Sequence, residues 1–218
     1  MSAAREEILA RIRSALQDVP AGERAGDVTV AREYRTSDDR GADELVELLC
    51  ERLIDYHAQV RQVAAGEVGR AVAEACRELG LARVVVPPEL AADWRPGAGE
   101  GPEVVEDRGL SAAELDAIDG AVTGCAAAIA ETGTLVLDGQ GPSGRRAITL
   151  VPDHHICVVS EDQVLGLVPE AIAGTASSVR ERGLPVTLIS GPSASSDIEL
   201  ERLEGVHGPR HLLVLIAR

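Results

Sequence analysis

In Glu78-Leu-Gly80-Leu-Ala-Arg83-Val-Val-Val-Pro87-Pro88 a helix stops and a buried strand begins. The residues before it, from about Gly66 to Leu79, keep helical spacing, and Gly80 supplies the residue type that best ends a helix. Arg83 to Pro87 is then an apolar β run with no polar alternation, closed by two prolines. A strand of that kind is covered on both faces, which is the condition of a parallel sheet flanked by helices.

The same alternation extends in both directions. Upstream, a helix from about Ala42 to Tyr56 buries Leu45, Val46, Leu49 and Leu53, and the strand-like run Ala58 to Val63 follows. Downstream, a Pro/Gly-rich turn over residues 96 to 102 leads to a strand at Glu103 to Glu106, and Ser111 is placed to cap a helix carrying Leu115. Further β-rich runs lie at Gly120 to Thr123, Thr134 to Leu137, His155 to Val159, Val186 to Ile189 and His211 to Ile216, with a helix between Gln163 and Arg182. The expectation is an α/β fold with a mainly parallel sheet flanked by helices and an N-terminal helical extension.

That extension carries Ile8, Leu9, Ile12, Ala15 and Leu16 as an apolar stripe, with Ser2 as a possible cap. The stripe fits either a helix docked on its own chain or a helix that binds a partner. Asp18 to Gly41 is polar, with Pro20, Gly22 and Gly26, and reads as a linker. The chain therefore divides into residues 1–41, helix and linker, and residues 42–218, one α/β domain; 218 residues leave little room for more.

Composition removes several functions. The formal charge of −15 repels phosphate backbones and anionic lipid, and the aromatics are only Tyr34, Tyr56 and Trp94, so base-stacking platforms are missing. There is no lysine, hence neither a Schiff-base amine nor a phosphate-loop lysine. Cys50, Cys76, Cys125 and Cys157 form no CxxC pair, so neither a zinc nor an iron–sulfur motif is legible, and no disulfide framework is indicated. No apolar run reaches spanning length, and the chain reads as cytoplasmic, with neither nucleic acid nor membrane as a partner.

Ligands of open α/β sheets gather beyond the carboxyl ends of the strands, and four polar segments are candidates. In Glu131-Thr132-Gly133-Thr134, Glu131 reads either as a nucleophile or base, or as a helix-ending residue whose threonines satisfy local backbone donors. Gly139 to Arg146 joins flexible backbone to Arg145 and Arg146, a combination suited to an anion or to an ordinary solvated hairpin. In Pro152-Asp-His154-His155, strand alternation points the two imidazoles oppositely. They make a poor metal pair, leaving one pocket-facing and one structural histidine. Ser190 to Glu199 offers Ser193 and other caps, although Asp197 and Glu199 favour capping over a bound phosphate. Gly205 to Arg210 adds His207 in a turn.

In order, Glu131–Leu137 (ETGTLVL), Gly144–Val159 (GRRAITLVPDHHICVV), Leu188–Glu199 (LISGPSASSDIE) and Gly205–Arg210 (GVHGPR) make a specific series. It resembles the LUD-domain family, on its lactate-utilization branch, over about residues 118 to 217. The resemblance implies a fold similar to the sugar-phosphate isomerase and coenzyme A transferase superfamily. It also implies a non-cluster component that works with iron–sulfur partner proteins in oxidising L-lactate to pyruvate, with no cofactor in this chain. By analogy with coenzyme A transferases, Glu131 is the catalytic candidate. Thr132, Gly133, Thr134, Arg145, Arg146, His154, Ser193 and His207 are ligand-binding candidates, and no metal ligand is expected. An independent acyl or coenzyme A transferase, or ligase-like enzyme, and an organic-acid sensor are the competing functions.

Overall fold

The computed structural model describes residues 3–20, 22–27, 30–97, 101–195, 203–204 and 207–218. Two compact units are present, Met1–Tyr34 and Arg35–Arg218. The first contains helix α1 (Ala3–Ala15), within which no residue is buried. Ser2, expected as a cap, and Asp197 and Glu199, expected in a first helical turn, lie outside the described residues.

The second unit begins with α2 (Ala42–Asp55), β1 (Gln59–Val63), α3 (Val68–Glu78), β2 (Arg83–Val86), β3 (Glu103–Glu106), α4 (Ala112–Asp116) and β4 (Gly120–Thr123). It continues through β5 (Ala127–Ile129), β6 (Thr134–Leu137), β7 (His154–Ser160), β8 (Val164–Leu165), α5 (Val168–Arg182) and β9 (Thr187–Ile189). The short β10 (Ala194–Ser195) and β11 (Leu203–Glu204) precede β12 (His211–Ala217). Gly80 adopts φ +69° just past α3, as the sequence requires. Ser111 caps α4 by accepting from the Glu114 amide while Glu114 reaches back to the Ser111 amide, the reciprocal box that satisfies two orphan donors.

Among the described residues, six strands form an all-parallel sheet in the order β1-β12-β7-β4-β2-β3. Alternation along its central strands sorts the core into two layers. Ile156, Val158, Leu213 and Leu215 face α3 with Val72, Ala75 and Cys76. Cys157, Val159, Val214 and Ile216 face the other way, onto Val46, Leu49 and Leu53 of α2. Apart from Cys76 and Cys157 these side chains are aliphatic, and each fully buried leucine or valine contributes roughly 1.5–3 kcal/mol.

After β4 the fold departs from the expected rhythm. Thr134–Leu137 does not join the parallel sheet; β6 pairs antiparallel with β5 and with β9, and β8 completes a mixed second sheet, β8-β5-β6-β9. The small residues before Glu131 are thus a strand, and the reading of Glu131 as a helix-ending residue is overturned: it sits in the turn of the β5–β6 hairpin. The helix expected from Gln163 begins only at Val168, because residues 161–165 form a short turn and β8. Pro169 then fixes the first helical turn, and the Glu170 carboxylate accepts from the Leu167 amide at 2.7 Å. Among the described residues, no helix is long and apolar enough to cross a membrane.

Candidate functional site

The strand pairing decides where His155 goes. It shares a face with Cys157 and Val159, so it projects toward the second sheet, while His154 projects toward the α3 side. At the amino ends of β7 and β12, on the His155 side, lies a cleft of about 180 Å³ whose lining includes Arg146, Thr149, His155, Ser190, Ser193 and His207. The expectation of a site at the carboxyl ends is corrected for these segments: Asp153 immediately precedes β7 and Arg210 immediately precedes β12.

Arg146 opens a short 3₁₀ turn, Arg146–Thr149. One terminal nitrogen donates to the Thr149 carbonyl at 2.8 Å and to Thr149 Oγ1 at 3.0 Å, and the other donates to the His207 carbonyl at 3.2 Å. These bonds engage three of the five guanidinium N–H groups, all with neutral acceptors. Among the described residues no carboxylate lies within ion-pair distance of Arg146, and partial burial lowers its pKa. Arginine nevertheless stays charged at any accessible pH. The cleft therefore holds a positive charge with donors to offer and, among the described residues, no internal anion to take them.

His155 does not compete for that role. Its side chain is 1% exposed, its Nε2 lies 2.8 Å from Thr123 Oγ1, and burial together with the Arg146 charge holds its pKa down to about 4. It is a neutral wall of the cleft. An unfolded imidazole protonates near pH 6.5, so between these values the unfolded chain binds the extra proton. Stability from this group is full above the unfolded value and declines as pH falls through the window. Denaturant titrations are expected to show a loss of about 2 kcal/mol between pH 7 and pH 5 that is absent from His155→Asn.

The rim is tied by hydroxyls. Ser193 Oγ accepts from the His207 amide at 3.1 Å, and the Ser193 amide donates to the Pro209 carbonyl at 2.8 Å. Ser190 Oγ lies 2.7 Å from Thr134 Oγ1, which is itself 2.7 Å from Thr132 Oγ1. The Glu-Thr-Gly-Thr turn thus supports the cleft from behind through a relay of three hydroxyls.

Of the sequence candidates, Arg146, Ser193 and His207 come together in the cleft, and Thr132 and Thr134 reach it through Ser190. Arg145 does not: it forms a bidentate pair with the buried carboxylate of Asp107, at 2.5 and 2.7 Å, and also donates to the Leu110 carbonyl, pinning that loop. His154 lines a different surface, stacked on His211 with ring centroids 4.5 Å apart. Glu131 is exposed and ion-paired with Arg35. Sequence reasoning passed over Thr149, placed Ser190 in a candidate segment without singling it out, and left His155 between pocket and core. Alternation separated the two imidazoles, but only the position of the second sheet tells which one faces a cleft.

These features define an α/β domain with a small cleft that holds the Arg146 guanidinium, and residues 92–217 match the LUD domain family, to which the chain belongs. The match begins upstream of the stretch whose sequence resembles the family, which starts near residue 118. The chain is similar to the lactate utilization protein C of Deinococcus radiodurans, 49% identical over 175 residues and 79% of each chain. It is also similar to the protein of the same name in Bacillus subtilis, 26% identical over 228 residues, 94% of this chain and 92% of that one. A crystal structure of a DUF162 family protein from Deinococcus radiodurans aligns with a TM-score of 0.70 and 43% identity, over 82% of this chain and 99% of that chain.

Proposed function

We propose that this chain is the component of a lactate-utilization system that carries no iron–sulfur cluster and holds a small monocarboxylate in the Arg146 cleft. Iron–sulfur partner proteins then take the two electrons released as L-lactate becomes pyruvate. The observation that carries this reading is the cleft guanidinium, which has no carboxylate partner among the described residues. A carboxylate matches the planar fork of arginine, and the serine hydroxyls at the rim suit the hydroxyl or keto oxygen of a short 2-substituted acid. Assigning the clusters to partners is supported by the thiols: Cys76, Cys125 and Cys157 are buried, and the four cysteines lack ligand spacing.

The test is lactate-dependent dye reduction by complexes captured anaerobically on a tagged copy of this chain, compared with the partners prepared without it. Reduction that requires this chain supports the reading. Partners that oxidise lactate at full rate alone contradict it. The competing acyl-transferase reading makes Glu131 the nucleophile, and Glu131→Gln separates the two. Glu131 is exposed and paired with Arg35 rather than lining the cleft, so turnover is expected within about twofold of wild type, because exposed ion pairs contribute little. A covalent mechanism demands its loss, since an amide cannot form the acyl anhydride.

A further inference from the structure

The carboxyl ends of the parallel strands, where open α/β sheets take ligands, carry a second groove of about 630 Å³. It is bounded by the segments that follow β2, β4 and β7, by the loop after β6, and by α5. Asp138 lines it and is 9% exposed, yet no cation lies within ion-pair distance among the described residues. Both of its hydrogen bonds fall on Oδ2, from Gln140 Nε2 at 2.6 Å and Ser178 Oγ at 3.2 Å; Oδ1 receives none. Ser143 also lines the groove, is 1% exposed, and its Oγ has no hydrogen-bond partner. Folded proteins rarely leave a fully buried polar atom such as Ser143 Oγ unmatched, and together with the open Asp138 Oδ1 in the same groove it marks a place for ligand atoms.

The charges select the ligand. A carboxylate with an open oxygen disfavours an anion and calls for donors. Glu89 is a second carboxylate in the lining, and Arg182, which donates to Gln140 Oε1 on the same wall, offsets one of the two negative charges and disfavours a simple cation. A hydroxyl donates and accepts, and so meets both Asp138 and Ser143. We propose that this groove binds a neutral polyhydroxylated ligand, a sugar or ribosyl group, with one hydroxyl donating to Asp138 Oδ1 and a neighbouring one paired with Ser143 Oγ.

The test uses the full chain and NMR titration with D-ribose, D-glucose, 2-deoxy-D-ribose and inorganic phosphate. The proposal expects saturable shifts at groove residues with ribose or glucose, and binding weakened roughly tenfold or more by Asp138→Asn. Ser143→Ala removes a hydroxyl that has no partner, so it is expected to melt at or above the wild-type temperature while binding the polyol more weakly; it decides the matter if Asp138→Asn does not fold. Arg146→Leu leaves polyol binding intact, which separates this groove from the carboxylate cleft. Failure of both sugars to bind, binding indifferent to both groove substitutions, or phosphate binding in their place overturns the proposal.

Discussion

The Arg146→Leu chain is expected to bind L-lactate and pyruvate roughly 10- to 150-fold more weakly than wild type, the range that follows from hydrogen bonds to a charged group. Complexes built on it should lose lactate-dependent dye reduction to a similar degree at subsaturating lactate. The argument is one of charge. Arg146 is the guanidinium in the cleft, its bonds go to neutral oxygens of Thr149 and His207, and neutral His155 supplies no second cation. Arg146→Lys should recover only part of the affinity, because an ammonium is a point charge and cannot present two parallel N–H groups to a carboxylate. A second readout guards against a merely structural effect. The Arg146 charge is one of the two causes that hold the His155 pKa down, so the leucine variant should raise that pKa, measurable by the imidazole NMR shift. Affinity unchanged in Arg146→Leu would remove the cleft from the account.

Gly133→Ala should cost about 2–4 kcal/mol of folding stability, read as a lower denaturation midpoint in urea with an unchanged slope. Gly133 adopts φ +58°, a conformation costly for any residue with a Cβ, and it abuts the last turn of α2. An added Cβ would lie 2.8 Å from Arg52 Cβ and 2.9 Å from the Arg52 carbonyl carbon. The backbone half of that contact cannot relax by a rotamer change, so the hairpin or the helix end must move. Either motion pulls on Thr132 and Thr134, and through Ser190 on the cleft rim. Weaker carboxylate binding in the folded fraction is therefore expected as well. The glycine of the Glu-Thr-Gly-Thr turn is thus a packing requirement between the hairpin and α2, a stronger constraint than permission for a turn.

The parallel sheet was legible because its strands are buried on both faces. Val84 to Val86, Ile156 to Val159 and Leu212 to Ala217 appear as unbroken apolar runs, and α2 keeps its stripe of Val46, Leu49 and Leu53. The second sheet was not legible as a separate layer. Ala127–Ile129 is built of small residues with weak strand preference, and it is held by pairing on both sides rather than by local propensity. Its four-residue link to β6, Ala130 to Gly133, is a hairpin spacing, the signal that would have found it.

The site was legible in kind but not in assignment. Adjacent guanidiniums at Arg145 and Arg146 marked anion chemistry. Which one is available depends on Asp107, 38 residues away in sequence, which engages Arg145 and leaves Arg146 to the cleft. The same holds for the histidines: the spacing that opposes His154 and His155 is local, whereas the cleft on one side lies where the amino ends of β7 and β12 are brought together. Glu131 drew attention by its chemistry, yet the fold makes its turn a support, with the hydroxyls beside it carrying the connection to the cleft.

The most direct test of the central claim is calorimetric titration of L-lactate into the purified chain, wild type beside Arg146→Leu, with both shown to be folded by their denaturation profiles. The account predicts one saturable site on the wild-type chain, competed by pyruvate and lost or strongly weakened in the variant. No binding to the folded wild-type chain, or equal binding to both, would contradict it.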